Sequence, residues 1–200
     1  MSNKEGVLFV ISGPSGAGKT TAASRVLESY PNFTRSVTAT TRAPRGQEQN
    51  GVDYHFMRRD DFVEKLASGA FLEHVTYAGN LYGTLSEVVS EDLRQGKDVL
   101  LVIEVTGALN IKKLHPDAVL IFVVPPKFSD LRRRLISRGT EKEAVIDDRL
   151  AVALSECKSF DQYDYVVIND DVSRAAEDIF TIRNAEHLRP RRNNSFLEEM

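Results

Sequence analysis

The feature that most constrains the fold is a glycine-rich stretch, residues 13–20, which reads Gly-Pro-Ser-Gly-Ala-Gly-Lys-Thr. It lies between a short apolar run, Val7–Ser12, and a helical pattern from about Lys19 to Glu28. Glycines allow backbone N–H groups to converge on phosphate oxygens without Cβ clashes, and the helix directs its positive end at the same anion. The stretch therefore predicts a P-loop that holds the phosphates of a nucleoside triphosphate.

Two side chains of this loop have expected roles. Lys19 should reach the β and γ phosphates, and the hydroxyl of Thr20 should bind Mg²⁺. The alternative is a glycine turn that only joins a strand to a helix, and the Lys and Thr at the required offsets disfavour it. The loop alone does not indicate what receives the phosphate.

Further apolar runs alternate with amphipathic stretches along the chain. The runs are Val99–Val105, Val119–Val124 and Tyr165–Ile168, and a last helical pattern begins at Val172. Continuous apolar runs are typical of parallel strands covered on both faces, and the alternation with helices indicates right-handed crossovers. The expected fold is α/β, a P-loop NTPase-type parallel sheet flanked by helices.

Two segments interrupt this alternation. Residues 34–84 contain short β-like pieces, turn residues and one short helix around Asp60–Ser68, which predicts a small inserted α+β lobe. Residues 138–148 are polar and charged between two helical stretches, which predicts a short lid. The expected core is residues 1–33 and 85–189, and residues 190–200 are expected to form a frayed tail.

Composition disfavours several other classes of function. The 200 residues carry a net charge of −3, so no broad basic field indicates a nucleic-acid partner. Cys157 has no partner for an intramolecular disulfide, and no CxxC or HExxH pattern indicates a zinc site. Neither a signal-peptide pattern nor an apolar run of about 20 residues is present, so the expected compartment is the cytoplasm.

A more specific pattern follows the first helix. It comprises Thr38-Ala39-Thr40-Thr41-Arg42-Ala43-Pro44-Arg45, then Glu48 and Gly51-Val52-Asp53-Tyr54, then Phe71-Leu72-Glu73, and then Gly79-Asn80-Leu81-Tyr82-Gly83-Thr84. These segments resemble the nucleotide-monophosphate lobe of the guanylate kinase family, and the likeness runs from Val7 to about Phe180. The resemblance implies transfer of the γ-phosphoryl group of ATP to GMP. It also implies that four side chains hold the GMP phosphate, namely Arg42, Arg45, Tyr54 and Tyr82.

The residue types suit these roles by their own chemistry. Planar, permanently charged guanidinium groups bind two phosphate oxygens at once, and tyrosine hydroxyls add donors. Glu73 suits guanine, because one carboxylate can accept from both N1–H and N2–H₂, whereas the N1 of adenine would face it lone pair to lone pair. Thr38 stands where the family usually has serine, and its hydroxyl can donate to O6. The alternative interpretation is solvated loop arginines and tyrosines of the lobe core.

The predicted lid and the end of the last strand also resemble the family. Arg138 and Arg149 match its two phosphate-facing arginines, which stabilise charge on a transferring phosphoryl group. Asn169 matches the asparagine near the adenine of ATP, although a helix N-cap would explain the same position. The arginines at residues 132–134 are expected to be mostly solvated, apart from any that line the cleft.

One segment departs from the pattern of the family. Where the family usually has Asp-x-Asp-x-Gln-Gly, this chain has Val102-Ile103-Glu104-Val105-Thr106-Gly107. Glu104 keeps one carboxylate at the mouth of the cleft, where it can hold Mg²⁺ through water or help to recognise guanine, and the residues leave both roles open. Val102 removes the first carboxylate, but magnesium needs few protein ligands because it keeps waters and substrate phosphates.

The expected site comprises three overlapping sets of residues. The catalytic set is Lys19, Arg42, Arg138 and Arg149. The ATP-binding set is Gly13, Pro14, Ser15, Gly16, Ala17, Gly18, Lys19, Thr20, Thr21, Arg138 and Asn169. The GMP-binding set is Thr38, Arg42, Arg45, Tyr54, Glu73, Tyr82, Gly83, Thr84 and Glu104. The expected cofactor is Mg²⁺, bound by Thr20, and the expected substrates are ATP and GMP, with dGMP as a further acceptor. We expect a monomer or homodimer without a nucleic-acid or membrane partner.

Three other classes stay open at this point. Ribose bisphosphate phosphokinases resemble guanylate kinases in part, but they need no guanine reader such as Glu73 with Thr38. Guanylate-kinase-like domains of scaffold proteins bind phosphopeptides, but they typically lack an intact P-loop. A regulatory ATPase would leave the paired arginines and tyrosines without a role. The histidines have no motif context and are expected to be structural: His55, His74, His115 and His187.

Overall fold

The main layer of the molecule is a five-stranded sheet in which every pairing is parallel. The computed structural model describes residues 5–77, 79–137 and 143–193. In sheet order the strands are β2 (Phe33–Arg35), β7 (Asp98–Val102), β1 (Leu8–Ser12), β8 (Val119–Val124) and β9 (Tyr165–Ile168). The parallel arrangement and the bounds of the last two strands are as the apolar runs predict.

One predicted strand boundary is wrong. The run Val99–Val105 predicts a single strand, but β7 ends at Val102 and Val105 begins helix α4 (Val105–Leu114). Val105 is buried all the same, because it is the first apolar residue of the helix, and a short apolar run alone does not distinguish strand from helix. The change of element makes Glu104 the N-cap residue of α4.

Helices cover both faces of this sheet. Besides α4 they are α1 (Lys19–Ser29), α3 (Ser86–Arg94), α5 (Phe128–Ser137), α6 (Glu143–Cys157) and α7 (Val172–His187). The one other α-helix of the described residues, α2 (Arg59–Ala67), belongs to the smaller sheet described below. Alternate residues of β1 face opposite ways. Phe9 and Ile11 join the apolar cluster with α1 and α7, and Leu8 and Val10 join the cluster with α3 and α4. Among the helices of the described ranges, none combines the length and apolar character that a bilayer span requires.

A second, smaller sheet lies in the segment where an inserted lobe is predicted. Its strands are β3 (Ala39–Thr40), β4 (His55–Phe56), β5 (Phe71–Tyr77) and β6 (Asn80–Leu85), in the order β4-β3-β6-β5. Helix α2 packs its one buried aromatic residue, Phe62, against Ala39 and Leu81. This small apolar cluster is separate from the two that cover the parallel sheet.

The carboxyl ends of the parallel strands meet at one edge, and this edge positions the site. Residues 13–18 follow β1, Glu104 follows β7 and Asn169 follows β9. From β1 the chain places β2 at one edge, then inserts β7 between β2 and β1, and last adds β8 and β9 on the other side of β1. Parallel sheets bind ligands at such a point, where the strand order changes direction.

The two remaining predicted segments are covered only in part. Residues 138–142 of the predicted lid lie outside the described residues, and residues 143–148 form the first turns of α6. In the predicted tail, Pro190–Arg192 form a short 3-10 helix. Arg191 donates to Asp117 Oδ1 at 2.6 Å, which ties that helix to the turn before β8.

A buried carboxylate fastens the last helix to the sheet. Asp98, the first residue of β7, is 1% exposed and accepts from the backbone N–H of Val7 at 2.8 Å. Arg183 of α7 donates to its other oxygen, and His187 Nε2 lies 2.9 Å from the carboxylate. The structural role expected of His187 is consistent with this contact. Helix α7 in turn packs on α1, where Phe180 stacks on Tyr30 with ring centroids 3.9 Å apart.

We expect Asp98→Ala to lower the free energy of unfolding by about 3 kcal/mol, because it leaves the buried Val7 N–H and the half-buried side chains of Arg183 and His187 without their carboxylate partner. In a chain of this size that corresponds to a Tm lower by roughly 6–12 °C. The matched control is Glu28→Ala, which removes an exposed pair with Arg25 and should change stability by less than about 1 kcal/mol. Calorimetry of both variants tests this, and equal losses of Tm would contradict it.

Candidate active site

The loop between β1 and α1 has a backbone that only glycine accommodates. Gly13, Gly16 and Gly18 have φ angles of 134°, 88° and 89°. A Cβ on Gly13 would lie 2.2 Å from the carbonyl oxygen of Val123, and one on Gly18 would lie 2.3 Å from Asn169 Nδ2. The loop is thus pressed against the carboxyl ends of β8 and β9, and its successive N–H groups form the kind of concavity that binds an anion.

The lysine of this loop reaches back across it. Lys19 Nζ donates to the carbonyl oxygen of Gly13 at 2.6 Å and lies 3.6 Å from Glu104 Oε2. Lys19 Nζ also donates to the carbonyl oxygen of Pro14 at 3.4 Å, so the side chain is held over the loop by two carbonyls and one carboxylate. Thr20 and Thr21 are exposed in the first turn of α1, where the positive end of the helix favours an anion.

Two side chains hold the loop from outside. Asn169 Nδ2 donates to the carbonyl oxygen of Ala17 at 2.9 Å. Arg134 donates to the same oxygen at 3.1 Å and to the carbonyl oxygen of Asn169 at 2.8 Å. Of the three neighbouring arginines, Arg132 and Arg133 are largely exposed, as expected, but Arg134 is a support of the loop. Its partners are backbone carbonyls, which no sequence pattern identifies.

Helix α6 contacts the loop through two further side chains. Arg149 Nη2 donates to Ser15 Oγ at 2.7 Å. Glu156 lies about two turns later on the same helix, and the nearby backbone N–H of Ser15 acts to lower the pKa of its carboxyl group. Burial raises the pKa of Glu156 to about 7, with a further increase from Glu104 and an opposing effect of Lys19. Sequence reasoning missed Glu156, although its spacing from Arg149 is the available signal. Arg138 lies outside the described residues.

A second cluster of charge lies in the smaller sheet. Arg42 is only 9% exposed, and its Nη2 donates to both carboxylate oxygens of Glu48, at 3.0 and 2.9 Å. Its guanidinium carbon lies 5.1 Å from the centre of the Tyr54 ring, and the Tyr54 and Tyr82 rings meet edge to face at 6.2 Å. The arginine is held in place by this carboxylate, by the Ala43 carbonyl oxygen at 2.7 Å and by the rings of Tyr54 and Phe56.

Glu48 also organises the second arginine of this cluster. The backbone N–H of Arg45 donates to Glu48 Oε2 at 2.8 Å, while the Arg45 side chain is exposed. One carboxylate therefore fixes the Arg42 side chain and the turn that carries Arg45. Glu48 belongs to the recognised pattern but was not assigned a role in the site, because its partners lie within the same loop and only the geometry defines them.

The candidate base-reading carboxylate is buried and only half satisfied. Glu73 on β5 is 5% exposed, and its Oε1 accepts from Thr84 Oγ1 at 3.0 Å. Its Oε2 is enclosed without a hydrogen-bond partner among the described residues. Burial raises the pKa of Glu73 to about 7, and the Thr84 hydrogen bond only partly opposes this. A buried carboxylate with a free oxygen is suited to accept N–H groups of a ligand.

One cavity of about 270 Å³ joins these groups. From the predicted set it is lined by Ser15, Thr38, Arg42, Arg45, Tyr54, Glu73, Tyr82, Glu104 and Arg149. Thr84 acts behind this lining by donating to Glu73. Gly83 leaves room for the Phe71 ring, since a Cβ at Gly83 would lie 2.8 Å from that ring. Loop residues and smaller-sheet residues thus face one enclosed space.

A neighbouring cavity of about 170 Å³ fits a magnesium ion in its residue types. Lys19, Thr20 and Glu104 all line it, and hydroxyl and carboxylate oxygens are the hard ligands that Mg²⁺ prefers. Val102 lines the same space and offers only apolar surface. Across residues 5–77, 79–137 and 143–193, no three His, Cys, Asp or Glu side chains cluster as metal ligands. The site suits an ion that keeps waters and substrate oxygens as most of its ligands.

Comparison with known proteins agrees with this geometry. The guanylate kinase family model matches residues 5–186. A guanylate kinase of Lactococcus lactis subsp. lactis (strain IL1403) is 47% identical over 186 residues, which cover 93% of this chain and 91% of that protein. A guanylate kinase of Thermotoga maritima is 43% identical over 194 residues, 97% of this chain and 94% of its own.

Solved structures of other proteins are also similar to this chain. The crystal structure of guanylate kinase from Anaplasma phagocytophilum superposes with a TM-score of 0.78 at 33% identity, over 93% of this chain and 88% of that one. A shikimate kinase from Acinetobacter baumannii, at a TM-score of 0.50 and 14% identity over 93% of this chain and 97% of that one, shares the fold alone. The chain belongs to the guanylate kinase family.

Proposed function

We propose that this protein transfers the γ-phosphoryl group of ATP to GMP, giving ADP and GDP, with Mg²⁺ as cofactor and dGMP as a further acceptor. The observation that carries the proposal is the single cavity lined by both Glu73 and Arg42 on one side and by Ser15 and Arg149 on the other. A carboxylate suited to guanine and an arginine suited to a phosphate therefore face the loop that suits the phosphates of ATP. In-line transfer requires this arrangement.

The proposed division of the chain follows the two sheets. Residues 34–84 form the GMP-binding lobe, and residues 1–33 and 85–189 form the P-loop core, with a lid at about 138–148 and a tail at 190–200. The separate apolar cluster around Phe62 supports the lobe as a unit. The strand Phe33–Arg35 pairs with the core sheet, so it spans the proposed boundary and connects the two parts.

In the proposed GMP site the base and the phosphate bind at opposite ends of the cavity. Glu73 accepts from the guanine N–H groups and Thr38 donates to O6, while Thr84 and Gly83 support the strand behind them. At the other end Arg42, Arg45, Tyr54 and Tyr82 bind the phosphate, with Glu48 holding Arg42 in position. Glu104 lines both cavities, which suits either role expected for it.

In the proposed ATP site the loop binds the phosphates. Backbone N–H groups of the loop donate to phosphate oxygens, Lys19 bridges the β and γ phosphates, and Thr20 holds the metal, with Thr21 beside it. When bound, Mg²⁺ would neutralise phosphate charge. Asn169 is proposed near the adenine, and its hydrogen bond to Ala17 makes it a support of the loop as well.

The transfer itself asks little covalent chemistry of the protein. An oxygen of the GMP phosphate attacks the γ phosphorus, the bond to the β–γ bridging oxygen breaks, and its electron pair leaves with ADP. Lys19, Arg42, Arg138 and Arg149 stabilise the charge that spreads over the equatorial oxygens. No general base is needed because the acceptor phosphate is already anionic.

The experiment that tests the reaction is ADP formation from Mg-ATP with different acceptors. GMP, dGMP, AMP, UMP and ribose 1,5-bisphosphate are each compared with a control that has no acceptor. Turnover confined to the guanine nucleotides supports the proposal. Turnover with ribose 1,5-bisphosphate would favour a sugar-phosphate kinase instead. GMP binding without acceptor-dependent turnover would favour a non-catalytic binding module.

We expect Lys19→Ala to lower kcat with GMP by at least about 100-fold, because it removes a cation aimed at the transferring group. The matched control is Lys97→Ala, which removes a surface lysine paired with Asp92 and should leave kcat unchanged. Steady-state kinetics with saturating ATP and GMP measure both. Near-normal turnover of the Lys19→Ala variant would contradict the assignment of the phosphate loop.

We expect the KM for GMP to rise about tenfold for each pH unit below about 7, because guanine needs the ionised Glu73 and the raised pKa of that group keeps it protonated at lower pH. Glu73→Gln should remove this part of the pH dependence and weaken GMP by about 10–100-fold at pH 8, with little effect on the KM for ATP. The phosphate of GMP titrates in both proteins, so the difference between their pH profiles isolates Glu73. Equal losses for GMP and ATP would remove Glu73 from base recognition.

A further inference from the structure

Helix α4 contains a glycine that its own backbone does not require. Gly107 is buried in the first turn of the helix, and it is absent from the positive-φ glycines of the described residues. An alanine would adopt the same backbone and would favour the helix by about 1 kcal/mol. A reason for glycine must therefore come from what lies against it.

The neighbour of Gly107 is the carboxylate of Glu73. A Cβ built on Gly107 would lie 2.8 Å from Glu73 Oε2 and 3.4 Å from Glu73 Cδ, with Ile103 Cδ1 at 3.3 Å. The first of these distances is shorter than carbon and oxygen atoms tolerate without bonding, so the carboxylate would have to move. Gly107 thus leaves the space that Oε2 occupies.

The carboxylate has little freedom to move elsewhere. Its Oε1 accepts from Thr84 Oγ1 at 3.0 Å, and Glu73 and Thr84 are paired across β5 and β6. A shift of Oε2 away from α4 therefore rotates or breaks the Thr84 hydrogen bond. The nearby first turn of α4 also presents the positive end of the helix, which favours a negative charge there.

We propose that Gly107 is a positioning residue for guanine selectivity: the missing side chain lets α4 of the core lie against Glu73 Oε2 and fixes the Glu73 carboxylate in the wall of the cavity that guanine would enter. The inference rests on the proposed role of Glu73. It adds that base recognition depends on a backbone position in the core, outside the lobe that binds GMP.

The test is Gly107→Ala in a double-mutant cycle with Glu73→Ala. In the wild-type background we expect the KM for GMP to rise about tenfold, the KM for ATP to change less than twofold, and the Tm to stay level or rise. In the Glu73→Ala background Gly107→Ala should not change the KM for GMP further. In a Glu73→Asp background, where the carboxylate is one methylene shorter, its effect should be smaller than in the wild type.

Each other outcome is decisive. An unchanged KM for GMP in Gly107→Ala, with normal turnover of the wild type, overturns this inference and leaves the proposed function intact. An equal rise in the Glu73→Ala background also overturns it, because the effect would then arise from packing on Ile103. If Gly107→Ala alone does not fold, recovery of folding in the double variant with Glu73→Ala supports the proposal, and failure to recover overturns it. Absence of GMP-dependent turnover in the wild type would instead contradict the proposed function.

Discussion

The rest of the structure depends on the close contact between the loop after β1 and the carboxyl ends of β8 and β9. Gly13 approaches the Val123 carbonyl and Gly18 approaches Asn169 so closely that neither position has room for a Cβ. Asn169 and Arg134 then saturate the Ala17 carbonyl from outside. Lys19 binds the carbonyls of Gly13 and Pro14 on the other side, so the loop is fixed before a ligand binds, which is what preorganised anion binding requires. The parallel sheet supplies this contact by bringing strands distant in sequence to one edge.

One buried and one half-buried carboxylate lower the stability of the fold near the site. Glu73 and Glu156 each keep one enclosed oxygen without a partner among the described residues, and burial raises the pKa of both to about 7. For a carboxyl group whose pKa is raised on folding, the folded state loses stability as pH rises from its unfolded value, near 4.5, to about 7. A core built only for stability would replace such groups with apolar ones. Their retention next to the cavity is typical of sites that give up stability for function.

The sequence predicts the parts of the structure that local chemistry determines. The strand–loop–helix around Lys19 and the strands Val119–Val124 and Tyr165–Ile168 follow from residue type and apolar runs, and the structure has them at those places. The predicted end of β7 is wrong because an apolar Val105 suits the end of a strand and the start of a helix equally well. Only tertiary packing decides which of the two it joins. Many proposed site residues line one cavity, among them Arg42, Glu73 and Tyr82. Only the tertiary fold brings them together there.

Residues that act through a partner could not be found from the sequence. Arg134 was expected among solvated arginines, yet its partners are the carbonyls of Ala17 and Asn169, and carbonyls leave no pattern in a sequence. Glu156 lies close to Ser15, which is far away along the chain, and its spacing from Arg149 on α6 is the one signal that the sequence offers. In the sequence, Gly107 is only the last residue of the segment 102–107. Its role depends on the Glu73 carboxylate in the smaller sheet, and only the distance between the two residues in the folded chain shows it.

The charges of the cleft are paired before any substrate arrives, and this pairing explains how the site stays ordered. Lys19 lies beside Glu104, and Arg42 is bound by Glu48. Without these carboxylates the cations would repel one another and sample many rotamers, so a phosphate would have to order them when it binds. Glu48 and the Ala43 carbonyl already engage the two terminal nitrogens of Arg42, so a phosphate that bound there would have to compete for part of these donors, and its binding free energy would be smaller. In the proposed reaction, the cleft accepts this weaker binding in return for cations that are already ordered.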